Sequence, residues 1–143
     1  GMGLGVSLAG GGSVVEKVTV DGNPGGGLTV AGAALEVVAI NNGSFGIIAG
    51  SARDCTASEN LGDGIILDIG GVATGNVSSV NGGIGIFVPD GTAMGNSVFL
   101  NKDFGIVANC PASVSTNTVI TNTQKGLETR GAGCVLVNNA VNQ

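Results

Sequence analysis

The chain reads as an all-β solenoid of about seven coils, each with three short strands in about 20 residues. Three observations predict this. A column of Asn or Asp recurs at Asp21, Asn41, Asn60, Asn81, Asn101 and Asn122. A Gly followed by an aliphatic residue recurs in the same phase, at Gly5-Val6, Gly27-Leu28, Gly46-Ile47, Gly64-Ile65, Gly85-Ile86, Gly105-Ile106 and Gly126-Leu127. No segment sustains the 3.6-residue apolar period of a helix.

Each element follows from this repeat. The residues leading into the Asn column are strand-like, from Lys17 to Val20, Val37 to Ile40, Val77 to Val80, Ser97 to Leu100 and Thr118 to Thr121. Alternation puts Val18, Val38, Ala57, Ser78, Val98 and Val119 on their inner face, with Val20, Ile40, Val80 and Leu100 two residues on. A second strand follows each Gly, with Leu28/Val30, Ile47/Ala49, Ile65/Leu67, Ile86/Val88, Ile106/Ala108 and Leu127/Thr129 inward. A third, shorter strand carries Ala33, Ala52, Ala73, Ala93, Val114 and Leu136. One coil cannot bury its apolar face alone; stacked coils can, so residues 1–143 form a single domain.

The turns have their own chemistry. Asn tolerates the left-handed backbone region, and stacked Asn side chains can bond from coil to coil. Gly supplies positive φ where a side chain would clash. A second Asn precedes the first column by five residues at Asn76, Asn96 and Asn117, and Cys55 falls in that same interior column as a small core residue.

Composition narrows the function. The chain has 28 Gly and 14 Asn, four Phe, and no Trp, Tyr or His. Charged residues make up 10%, against about a quarter in an average domain, and the net charge is −5. The five cations Lys17, Arg53, Lys102, Lys125 and Arg130 form no basic stripe, which argues against nucleic acid as a partner. No apolar run approaches the roughly 18 residues needed to cross a membrane, and no signal peptide is visible.

The units LeuAsnLysAspPheGlyIleVal at 100–107 and ValAsnGlyGlyIleGlyIlePheVal at 80–88 resemble the right-handed parallel β-helix repeat family, of pectin-lyase-like fold. The resemblance covers nearly the whole chain. It implies a right-handed helix and a fold that hosts lyases, hydrolases, epimerases, phage tailspikes and adhesins. Lyases of that fold use a basic residue as proton acceptor, often with Ca²⁺ on carboxylates, and its hydrolases use clustered Asp. Transferred to this chain, the catalytic candidates are Asp68 and Asp90, which end the post-glycine strand in neighbouring coils, and Arg53 one coil earlier. Otherwise they are solvated turn residues. Against catalysis stand the missing aromatic platforms for sugars, the missing His and the short, even turns. No metal site and no cofactor are expected, Ca²⁺ entering only with a lyase activity.

The outward column of the post-glycine strand is Thr29, Ile48, Ile66, Phe87, Val107 and Glu128. Ile48, Ile66, Phe87 and Val107 stacked on successive coils predict a contiguous exposed apolar stripe, hence an interface. Cys110 and Cys134 lie about one coil apart at the turn into the third strand. A bridge between them would contribute about 3 kcal/mol; two buried free thiols are the alternative. Related bacterial repeat proteins look similar at this Cys-Pro…Gly-Cys stretch, which implies an oxidising, extracellular or exported setting. The function expected is a non-catalytic structural or interaction module that forms homo-oligomers. The alternatives are a carbohydrate-active protein that binds or cleaves a polysaccharide, and a segment of a phage tailspike or adhesin fibre.

Overall fold

The computed structural model describes residues 3–142, so Gly1, Met2 and Gln143 of the predicted domain lie outside the described residues. Within them the chain is all strand and turn, wound into seven coils as a parallel β-helix. The inward file of the post-glycine strand is Val6, Leu28, Ile47, Ile65, Ile86, Ile106 and Leu127, each paired with the next in parallel register. The third strand contributes Val15, Ala34, Ala52, Ala73, Ala93, Val114 and Leu136. The strand before the asparagines contributes Val20, Ala39, Ala57, Ser78, Val98, Val119 and Val141. These three files meet in one core, in which Leu28, Ile47, Ile65, Ile86 and Ile106 are fully buried.

The register corrects three expectations in the first coils. Before the asparagines Val20 faces inward, as expected, and Ala39, not Val38 or Ile40, follows it in file, while Val18 packs partly buried against the core from the preceding turn. Ala34, not Ala33, faces inward in the third strand. The buried ladder begins Asn23, Asn42, Asn60, not Asp21, Asn41, Asn60. Asp21 and Asn41 are exposed and bond to each other outside, Asn41 Nδ2 donating to Asp21 Oδ1 at 3.2 Å. The physical reason is spacing: every ladder position lies three residues after an inward residue, and the Asn41-Asn42 pair hides which member satisfies it.

The ladder carries the turn. Asn60 donates its backbone N–H and its Nδ2 to Asn81 Oδ1, at 3.1 and 3.0 Å, while Nδ2 also reaches back to the Ala39 carbonyl at 3.0 Å. Asn81 does the same with Asn101 Oδ1 and the Ala57 carbonyl, and Asn101 with Asn122 Oδ1 and the Ser78 carbonyl. One amide therefore ties three coils together. A second ladder of identical design runs Asn76, Asn96, Asn117 and Asn139, with Cys55 one coil before Asn76.

The left-handed residue of each turn is not the Asn but the residue before it. Asn41, Glu59, Val80, Leu100 and Thr121 have φ of 55, 56, 58, 57 and 53°, so Val80 and Leu100 are exposed at the bend, not inward. The column glycines need space rather than positive φ. A Cβ on Gly85 would stand 2.4 Å from Val98 Cγ1 and 2.6 Å from the Gly105 carbonyl oxygen, so the next coil closes over each of these positions.

Two corners of each coil are invariant: every inward residue of the third strand lies five residues before the next inward residue, and that one lies eight before the following post-glycine position. The third corner absorbs all variation. It is Gly50 alone in one coil, residues 31–32 or 89–91 in others, residues 68–71 and 109–112 in two, and residues 9–13 and 130–134 in the first and last. The turns are therefore even at two corners and uneven at one, which is why the sequence columns drift by one or two residues.

Two outcomes test this account by urea unfolding. Asn81→Ala strands several buried partners and lowers stability by about 3 kcal/mol, whereas Asn41→Gly stays within about 0.5 kcal/mol. Val80→Asn removes a β-branched residue from the left-handed region and raises stability by about 1 kcal/mol.

Candidate functional site

The variable corner gathers most of the chemistry-bearing residues named from sequence. Asp68 is exposed on the corner of residues 68–71, and Asp90 is half-buried on the neighbouring corner with φ of 150°. The Gly70 N–H donates to the Asp90 carbonyl oxygen, so these two corners stack directly. Arg53 is not with them. It ends a strand beyond the corner, opposite Thr74, and its Nε lies 3.9 Å from Asp54 Oδ2 in an exposed pair. A shallow depression of about 470 Å³ holds Arg53 with Leu35, Ser51, Val72 and Thr74, and neither aspartate lines it. The fold thus brings the two acids to one edge and sets the base on an adjacent face.

Where the corner is shortest, at residues 31–32 and Gly50, a second hollow of about 360 Å³ crosses the edge. Its floor is Ala31, Gly32, Ala33, Gly50 and Ser51. The small residues are there because the coils touch: a Cβ on Gly32 would fall on the Ser13 carbonyl. Among the described residues, no three His, Cys, Asp or Glu side chains come together as a cation-holding group.

The outward file Thr29, Ile48, Ile66, Phe87, Val107, Glu128 forms in that order. Its exposure is less than the sequence predicts. Ile48, Ile66 and Phe87 are half-buried, and Val107 is fully buried at 0% exposure. Val107 stands in file between two larger side chains, Phe87 and Glu128, and Glu128 is fixed by Lys125 at 2.9 Å. The usable apolar stripe is therefore Ile48, Ile66 and Phe87. Beside it Phe45, Ile84 and Phe104 are half-buried, the last with the Arg130 guanidinium 5.9 Å from its ring centre. Sequence reasoning missed the most exposed apolar side chains, Leu61 and Ile69. Leu61 sits in the turn between a ladder Asn and the column Gly, and Ile69 in the variable corner, where no periodicity assigns a face.

Cys110 and Cys134 form a disulfide across the last two variable corners, with Cα atoms 4.9 Å apart. It pins the longest corner to its neighbour. Cys55 is free and buried, its Sγ near the carbonyls of Arg53 and Ala34 at 3.3 and 3.4 Å. Burial pushes its thiol above the ordinary value.

No family model matches the sequence, and no curated protein matches it. Among solved structures, the A-module of the mannuronan C-5 epimerase AlgE4 from Azotobacter vinelandii is similar, with a TM-score of 0.72 at 18% identity. The similarity covers 88% of this chain and 41% of that one, so this chain spans less than half the length of the epimerase module.

Because the folded state holds Cys55 protonated past the pH at which the unfolded thiol ionises, the stability it supports is full below about pH 9 and falls as pH rises further. Chemical unfolding between pH 8 and 10.5 shows this loss in the wild type, and Cys55→Ala flattens it. With the coil geometry and this structural likeness together, the chain has the parallel β-helix fold of the pectin-lyase-like class.

Proposed function

We propose that this protein is a structural and interaction module, a rigid β-helical rod that associates side by side with copies of itself. The observation that carries this reading is the half-exposed file Ile48, Ile66 and Phe87 on three successive coils, widened by Phe45 and Ile84. Apolar side chains stacked at the strand spacing of about 4.8 Å form a flat ridge, and two such ridges pack against each other without distorting either rod. The chain has no Trp, Tyr or His, which leaves sugar stacking and acid–base chemistry near neutral pH without their usual residues. The Cys110–Cys134 bridge supports an exported protein working in an oxidising setting.

A second reading is contact with a polysaccharide. It is supported by the likeness to a mannuronan epimerase module and by the two stacked corners that carry Asp68 and Asp90. In it, Asp68 and Asp90 meet the sugar hydroxyls, and Ca²⁺ is required only if a uronate is cleaved. A glycan array with mannuronan and pectate, and a lyase assay with and without Ca²⁺, test it. Signal lost in the Asp68→Asn/Asp90→Asn double variant supports this reading, and silence in both assays removes it.

For the first reading, light scattering across a range of concentrations is decisive. The wild type forms side-by-side dimers or trimers, and Phe87→Lys shifts the midpoint of association to at least tenfold higher concentration. Association indifferent to Phe87→Lys refutes the lateral interface.

A further inference from the structure

Beside the apolar stripe runs a second file whose two ends carry opposite charges. The residue before each column Gly accepts, at its carbonyl, the N–H of the Gly one coil earlier. Gly46 donates to Asp63, Gly64 to Ile84, Gly85 to Phe104 and Gly105 to Lys125, each at 2.9 Å. Asp63, Ile84, Phe104 and Lys125 are thereby stacked on four successive coils, alongside Ile66, Phe87, Val107 and Glu128. An acid opens this run, two apolar residues follow, and a base closes it. Asp63, Ile84 and Phe104 are half-buried, and Lys125 is exposed. The Asp63 carboxylate is held in place, its Oδ1 accepting the Ile84 N–H at 2.7 Å. Among the described residues no cation pairs with it. Lys125 meets Glu128 at 2.9 Å with one of its three donors, and the Arg130 guanidinium beside Phe104 adds a second cation at that end.

We infer that the side-by-side pair is antiparallel, a register that rests on the lateral association proposed above, with its two-fold axis crossing the rods between the coils of Phe87 and Val107. Turned end over end about that axis, Asp63 of one copy faces Lys125 of the other, and Ile84 faces Phe104. Symmetry makes each contact twice. In the neighbouring file Phe87 faces Val107, and Ile66 faces Glu128, whose carboxylate is already neutralised by Lys125. Asp63 and Lys125 stand three coil spacings apart, about 14 Å, so both ion pairs close together only at this register. A register one coil away sets Asp63 on Phe104 and Lys125 on Phe45. Both charges then lose water to apolar groups with nothing to offset the loss.

The other charges on this side agree with the register. Asp103 faces Gly83, and Lys102 faces Gly82. Asp68 and Asp90 face the corners of residues 130–134 and 109–112, which contain no acid. A parallel pair, with its two-fold along the rods, fits less well. It stacks Asp63 on Asp63 and Lys125 on Lys125, or, displaced sideways by one file, it leaves Asp63 unpaired on Ile66. The end-over-end arrangement gives both charges of the file an opposite charge and gives both apolar residues an apolar neighbour.

Charge exchange tests the register by light scattering and sedimentation. Asp63→Lys sets like charges together in both contacts of the pair, and so does Lys125→Glu. Each alone raises the midpoint of association about tenfold. Mixed, the two variants restore both contacts and form a one-to-one heterodimer near the wild-type midpoint. The double variant Asp63→Lys/Lys125→Glu regains that midpoint by itself. Asp63→Asn keeps an acceptor for the Ile84 N–H and removes only the charge, and it raises the midpoint about threefold. Thermal unfolding establishes that each variant is folded. Association that is lost in Phe87→Lys but indifferent to these exchanges overturns the antiparallel register and leaves the lateral face standing. So does a mixture of the two single variants that fails to pair. A wild type that stays monomeric at all concentrations overturns the register and the lateral association together.

Discussion

The structure depends on one hydrogen-bonding arrangement, in which a buried asparagine amide bonds to the coil before it and to the coil after it. A sharp turn in a solenoid leaves backbone groups inside with no strand partner. The ladder meets that need at two corners of the coil. Asn81 Oδ1 accepts both the N–H and the Nδ2 of Asn60, while its own Nδ2 reaches the Ala57 carbonyl behind it. A buried polar group so satisfied is not a cost, and it fixes register, because a slip by one residue would aim the amide at solvent.

Other features follow from that arrangement. The Asn must point inward three residues after an inward strand position, so the residue before it takes the left-handed conformation. That requirement is strong enough to hold Val80, Leu100 and Thr121 there against their preference. It also draws successive coils close enough that the column glycines have no room for a Cβ. With two corners held to constant length, insertion and deletion are confined to the third. The candidate acids, the disulfide and both extremes of corner length are all found at that one edge. A corner with no ladder constrains neither length nor side chain, which makes it the place where this scaffold can differ from others of its kind.

The surfaces are the complement of this economy. The interior is narrow and uniform, so each coil offers the same outward positions and neighbouring coils stack like residues. A single apolar outward residue thereby becomes a file, as with Ile48, Ile66 and Phe87.

By itself the sequence determined the coil number, the parallel solenoid, the inward file after each Gly and the ladder from Asn60 onward, because these depend on residue type at a constant separation. It misassigned Asp21 and Asn41, since two adjacent asparagines satisfy the same approximate period and only hydrogen bonding selects Asn42. It named Asp68, Asp90 and Arg53 together, but backbone direction after a corner of variable length sets Arg53 on another face. Burial of Val107 was also beyond it, because exposure depends on the sizes of file neighbours about 20 residues away. Local chemistry repeats and can be read along the chain, whereas the tertiary structure alone decides what lies one coil above and one coil below.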